Sequence, residues 1–252
     1  MLSINLSGHL AVVTGGTGQL GRVMVRTMAA CGAGVVIHYH RNVQMARQLL
    51  SETQAAGAPG MIVQADVTVE GDVQRMKTEI GKTLGAPDII INNAVIQYAW
   101  ANVLEQPPAD YEGQFRSCVL HNVLMAQAFV PGMIAKNWGR IIAINTECAM
   151  QNFPNQSAYV AGKRGMDGVL RVLAREVGQH QVTVNQVAPG WMMSEAASSR
   201  GNDEWYIQQV PLKRRGTDQD VANLVAFLAS DLAGFISGQY ISVSGANVMP
   251  TI

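Results

Sequence analysis

Apolar positions along this chain fall into short unbroken runs, and the stretches between them carry helical periodicity. His9–Thr14 is such a run and ends in Gly-Gly-Thr-Gly, which predicts a buried strand entering a tight turn. Leu20, Val23, Met24, Thr27 and Met28 recur at helical spacing directly after it. Gly34–His38, Met61–Gln64 and Pro87–Asn92 predict three more strands, with helices over Val43–Ala56, closed by Gly57, and over Glu70–Leu84. A long helical stretch follows over Asp110–Lys136, which Pro131 is expected to kink or end. Beyond it come a fifth strand at Arg140–Asn145, a helix at Ser157–Val177, strands at Val182–Val187 and Tyr240–Val243, and a helix at Asp218–Ser230. Strands that are apolar rather than alternating, interleaved with helices, predict a parallel sheet covered on both faces. Right-handed crossovers make such a sheet doubly wound, an α/β fold. No repeat or linker divides residues 1–252, so one domain is expected.

Composition narrows the function classes. Of the 252 residues, 48% are hydrophobic and only 14% charged, against about a quarter charged in typical domains. So low a charge suggests that other subunits cover much of the surface. The formal net charge is zero, which offers no attraction to nucleic acid or an anionic membrane. Cys31, Cys118 and Cys148 are odd in number and far apart, the pattern of reduced packing residues in a cytoplasmic protein. The N-terminus has no signal-peptide pattern, and no uninterrupted apolar run reaches the roughly 18 residues of a spanning helix.

Two stretches carry chemistry. In Thr14-Gly15-Gly16-Thr17-Gly18-Gln19-Leu20-Gly21 a strand, a glycine-rich turn and a helix N-terminus succeed one another. Glycines admit a pyrophosphate close to the backbone, and the helix start supplies free N–H groups and a positive dipole end. In the second stretch Thr146 stands thirteen residues before Tyr159, and Lys163 follows four later. Residues four apart share a helix face. An ammonium there would lower the phenol's pKa toward the range of a working acid, and Thr146 could bond the substrate oxygen.

The turn Thr14–Gly21, Asn92-Asn93-Ala94, Tyr159-x-x-x-Lys163, Pro189-Gly190, Gly238-Gln239 and Val243 stand in the order and spacing of the short-chain dehydrogenase/reductase family. The chain resembles that family over essentially its whole length, and within it 3-oxoacyl-carrier-protein reductases. The resemblance implies a Rossmann-type seven-stranded sheet, a nicotinamide cofactor, a tetramer built on the helices at 110–136 and 157–177, and a carbonyl or alcohol substrate, acyl-carrier-linked ones included. It also implies site roles. Tyr159 would be the general acid or base, Thr146 the substrate-binding hydroxyl, Lys163 the ribose ligand, and Asn122 the organiser of a proton-relay water. Gly15, Thr17, Gln19, Leu20 and Gly21 would hold the pyrophosphate. Asp66 and Val67 would meet the adenine, Asn93 and Ala94 the ribose, and Pro189, Gly190, Met192 and Ser194 the carboxamide and phosphates.

Where a carboxylate would select NAD(H), the chain has Tyr39, followed by His40, Arg41 and Asn42. A guanidinium with nearby donors suits a 2′-phosphate, so NADP(H) is expected over NAD(H). The string His-Tyr-His-Arg also resembles pteridine reductases, which use NADPH.

Three positions depart from the family. Gln19 replaces a glycine and would crowd the pyrophosphate, Val95 replaces a glycine and narrows the ribose space, and Thr146 replaces the usual Ser. These departures favour a second reading, a cofactor-binding assembly subunit with little activity. Ser244 and Ala246 also interrupt an Asp-Gly-Gly run. No histidine has metal-ligand spacing; His9, His38, His121 and His180 are assigned structural or surface roles. Glu147 and Asp167 are expected to be solvated or helix-paired. Met192 and Met193 are expected to line an apolar pocket, Trp100, Trp191, Trp205 and Tyr206 to flank the cleft, and Ser194–Asp203 to form a mobile lid.

Overall fold

A computed structural model describes residues 3–193 and 203–250. Seven strands form its sheet: β1 (Leu10–Val13), β2 (Gly34–Tyr39), β3 (Gly60–Gln64), β4 (Ile89–Asn92), β5 (Gly139–Ile144), β6 (Val182–Pro189) and β7 (Tyr240–Val243). All pair in parallel in the order β3-β2-β1-β4-β5-β6-β7. The chain winds outward from β1 in one direction and from β4 in the other. The crevice at the carboxyl ends of those two strands is where such sheets bind ligands.

Apolar strand residues point to both faces and are buried on both. Ala11, Val13, Val35, Ile37, Ile89 and Ile91 pack on one side, with α1 (Gln19–Ala30), α2 (Val43–Ala55) and α9 (Asp218–Ala229) covering them. Val12, Val36, Ile90, Ile141 and Val184 pack on the other, under α3 (Glu70–Thr83), α5 (His121–Lys136) and α7 (Ser157–Val177). Local chemistry sets the helix starts. Asn42 caps α2 by accepting from the Met45 amide, and Thr217 with Asp220 forms a reciprocal capping box on α9.

The stretch predicted as one helix over 110–136 is built differently. A helix α4 (Pro108–Gln114) passes into a π-helical segment, Phe115–Leu120, before α5 begins. Pro131 lies inside α5 without ending it; the helix stops at Asn137, whose φ of 51° is left-handed. The helical stretch Pro108–Lys136 is long and on average apolar enough to cross a membrane, but 56% of its most apolar part is buried inside this molecule. That is the setting of a core helix. Two short helices, α6 (Cys148–Gln151) and α8 (Glu204–Gln209), lie in stretches where none was expected. The three thiols are free.

Candidate active site

A cleft of about 1100 Å³ opens over the carboxyl ends of the strands. Its floor is the turn between β1 and α1. Gly15 adopts a φ of 62°, which favours glycine, and a side chain on Gly21 would put its Cβ 2.2 Å from the Gly15 carbonyl oxygen. Within the turn these are the two positions where a positive φ or a contact under 3.0 Å with backbone demands glycine. Gln19, by contrast, is the first residue of α1 and has ordinary helical backbone, so its side chain is accommodated and lines the cleft. The N-cap is Gly18 and offers no side chain, which leaves the first amides of α1 without a side-chain cap.

Side chains outside the motif brace this turn. His38, at the end of β2, accepts from the Gly15 amide through Nδ1 at 2.9 Å and donates from Nε2 to the Ala65 carbonyl at 3.0 Å. That arrangement requires neutral imidazole, and burial pushes its pKa down to about 4. Thr14 Oγ1 accepts from the amides of Asn93 and Ala94 at 2.9 and 3.1 Å, while Asn93 Nδ2 donates to the carbonyls of Thr14 and Gly15. Asn93 therefore clamps the loop after β4 to the turn instead of offering its amide to the cleft.

Thr17, Leu20, His40, Arg41, Asn42, Val67, Ala94, Val95, Pro189 and Gly190 line the cleft together. Asp66 does too, and although burial raises its pKa, bonds from the Thr68 amide and hydroxyl outweigh that and hold it below the usual carboxylate range. Asn42 spends its side-chain oxygen on capping α2, which leaves Arg41 and the start of α2 as the positive features there, with His40 beside them. Tyr39 is buried in the core, so β2 ends without a carboxylate.

On the opposite wall Thr146, Tyr159 and Lys163 converge. Asn145 holds the end of β5, accepting from the Thr146 amide at 2.9 Å and donating to the Lys163 carbonyl and to Gln186. Thr146 Oγ1 accepts from the Cys148 amide at 3.2 Å. Tyr159 sits in the first turn of α7; its amide donates to the Tyr98 hydroxyl at 2.7 Å, and its ring stacks on Trp100 at 6.3 Å. Burial pushes the Tyr159 phenol above its ordinary value, and a bond from Thr146 only partly offsets this. The expected lowering by Lys163 is absent: its Nζ lies 5.7 Å from the ring centroid and donates to the Ile144 carbonyl at 2.6 Å, and burial depresses its own pKa. Asn122 does not line the cleft. It sits behind this wall, accepting from Asn92 at 2.7 Å and donating to the Cys118 carbonyl at 2.6 Å.

Several assignments need correction. Glu147 is neither solvated nor helix-paired: it is 3% exposed, with burial raising its pKa, and it accepts from Tyr206 and Asn247. Asp167 does pair along its helix with Arg171 and also accepts from Gln186. His38 and His121 are buried beside the site; burial brings His121 down to about 3. Met192 reaches the cleft but packs on the core, while Met193 pairs with Thr217 and does not line it. Ser194 and most of the 194–203 stretch lie outside the described residues. Asn145, Tyr98, His38 and Tyr240, whose hydroxyl donates to the Thr146 carbonyl, were not legible as site residues. Only their places at a strand end or beside a motif hinted at them.

Comparison with known proteins agrees with this geometry. The family model described as enoyl-(acyl carrier protein) reductase matches residues 17–245. The chain is 33% identical to 3-oxoacyl-[acyl-carrier-protein] reductase of Staphylococcus epidermidis, covering 95% of this chain and 98% of that one. It is 32% identical to the reductase of the same name from Escherichia coli, with 98% and 100% covered. A solved 7α-hydroxysteroid dehydrogenase, complexed with NADH and 7-oxo glycochenodeoxycholic acid, superposes with a TM-score of 0.91 at 28% identity, over 98% of this chain and 97% of that one.

Fold and relatives define a nicotinamide-dependent oxidoreductase on a doubly wound sheet. The chain belongs to the short-chain dehydrogenase/reductase family.

Proposed function

We propose that this protein is an NADP(H)-dependent reductase of ketone groups, with 3-oxoacyl thioesters among its substrates and Tyr159 as the proton donor. The observation that carries the reading is the convergence of Thr146, Tyr159 and Lys163 on one wall of a cleft whose floor is the glycine turn. The turn fits a dinucleotide: Gly15 and Gly21 leave the backbone bare, and the first amides of α1 have no side-chain cap. His40, Arg41 and the start of α2 would hold the 2′-phosphate, Asp66 and Val67 the adenine, and Lys163 with the main-chain carbonyls of Asn93 and Ala94 the ribose. Gln19, Leu20, Thr17, Pro189, Gly190 and Met192 would hold the remainder, with Ser194 assigned by family position alone.

When bound, the nicotinamide supplies or accepts the hydride. Tyr159 gives its proton to the substrate oxygen as negative charge develops there, and burial keeps the phenol protonated until that moment. Thr146 donates to the same oxygen. Its β-branch leaves few rotamers, and the Cys148 amide restrains the hydroxyl further. Asn122 holds the Asn92 side chain and the Cys118 carbonyl, and by family position it would organise the water that returns the proton. Phe115 and Val172, 55% and 57% exposed on the helices flanking that wall, support a homotetramer. Free thiols support a cytoplasmic setting.

Oxidation of NADPH by purified protein with a panel of 3-oxo esters and thioesters tests the reading. Turnover with NADPH favoured over NADH is expected. Tight NADPH binding without turnover would support the assembly-subunit reading instead.

A further inference from the structure

Glu147 is the least expected residue at the site, a buried carboxylate directly after Thr146. One carboxylate oxygen accepts from the Tyr206 hydroxyl at 2.7 Å and the other from Asn247 Nδ2 at 3.1 Å. The Tyr206 hydroxyl in turn accepts from the Trp191 amide at 2.8 Å. Three separated parts of the chain, the end of β5, the exit of β6 and the start of α8, thus meet at one phenol.

Trp191 is fixed from other sides as well. Arg215 donates from Nε to its carbonyl at 3.1 Å and lays its guanidinium 4.5 Å over the indole. The same guanidinium bonds the Met192 carbonyl and the Asp203 carboxylate, and Tyr206 meets the indole edge-on at 5.5 Å. Trp191 nevertheless remains 42% exposed and lines the cleft. An indole with its main chain tied at both N–H and C=O, packed by Arg215, Tyr206 and Trp205 and still partly exposed at the cleft, is a rigid apolar wall.

From this we infer that Glu147 and Tyr206 are positioning residues that hold Trp191 as the platform for the apolar body of the substrate, so that the cleft prefers ketones carrying a flat or extended apolar group. The inference rests on the reading of the cleft as a carbonyl-reducing site. The Glu147–Tyr206 bond touches no reacting atom, so its loss is felt in KM and in the choice between substrates, with little change in kcat.

Tyr206→Phe removes both bonds of the phenol and keeps the ring. Two readouts are paired: amide hydrogen exchange of the segment containing Trp191, and steady-state reduction of ethyl benzoylacetate against ethyl acetoacetate. Expected are exchange at Trp191 faster by about tenfold or more, a KM for the aryl ester raised about tenfold with kcat within about threefold, and a much smaller change for the methyl ester. Glu147→Gln, which keeps an acceptor for Tyr206, should restore most of the aryl preference, whereas Glu147→Leu should behave as Tyr206→Phe does. Unchanged exchange in Tyr206→Phe, faster exchange without loss of aryl preference, or a fall in kcat alone overturns the inference. Wild-type protein that reduces neither ester overturns the proposed 3-oxo ketone-reductase reading on which the inference rests, a result distinct from an active enzyme whose preference ignores Tyr206.

Discussion

Gly21→Ala is the smallest change that should disable the floor of the cleft. Its Cβ would stand 2.2 Å from the Gly15 oxygen, where contacts under 3.0 Å are essentially never seen, so the turn and α1 must part by about 0.8 Å. The turn cannot yield freely: His38 holds the Gly15 amide, Asn93 holds its carbonyl, and Gly15 already occupies a left-handed conformation. Overpacking of this kind costs about 1–3 kcal/mol, and each strained hydrogen bond adds up to about 1. If 1.4–3 kcal/mol of that falls on cofactor binding, the Kd rises about 10- to 100-fold. Gly81→Ala is the control, because position 81 lies in α3 away from the cleft and a Cβ there meets nothing within 4 Å; its NADPH Kd should stay within about threefold, with stability unchanged or higher by up to about 1 kcal/mol. NADPH fluorescence titration of both variants, with thermal melts alongside, provides the assay. A Gly21→Ala protein that binds NADPH within twofold of wild type would refute the argument that backbone approach at this turn makes the site.

Other outcomes can be checked separately. His38 is held near 4 and His121 near 3 by burial, both below the ordinary 6.5, so the unfolded chain binds more protons as pH falls. Stability should be full above pH 6.5 and decline toward pH 4, with about 3 kcal/mol at stake from His38 alone; urea midpoints that stay fixed between pH 7 and 5 would contradict this. Arg41→Ala should weaken NADPH about tenfold and leave NADH nearly unchanged in a binding titration, since Arg41 lines the cleft beside the start of α2. Tyr98→Phe removes the acceptor for the Tyr159 amide and should lower stability by about 1 kcal/mol in a denaturant melt.

Hydrophobic pattern is a good guide to the sheet because β1, β2, β4, β5 and β6 are buried along their whole length and read as apolar runs, whereas the edge strands β3 and β7 are only partly buried. The glycine turn and the Tyr159–Lys163 pair were legible for a related reason, since motif spacing is local. What the chain order hides is burial and long-range bonding. The π-helical segment at Phe115–Leu120 has no composition signal, and Pro131 reads as a helix breaker although the helix carries it. Glu147 reads as a surface carboxylate until Tyr206, 59 residues away, is brought to it. The charge logic that placed an ammonium beside Tyr159 identified the neighbours correctly. It missed that Lys163 would turn its ammonium to the Ile144 carbonyl and that burial would raise the phenol's pKa.

The most direct test of proton donation by Tyr159 is the rate of hydride transfer in Tyr159→Phe, measured as NADPH oxidation with a 3-oxoacyl ester under saturating cofactor. Loss of a positioned general acid should lower kcat by about 100- to 10,000-fold, with the NADPH Kd within about threefold of wild type. A Tyr159→Phe enzyme that keeps most of its turnover would contradict the account.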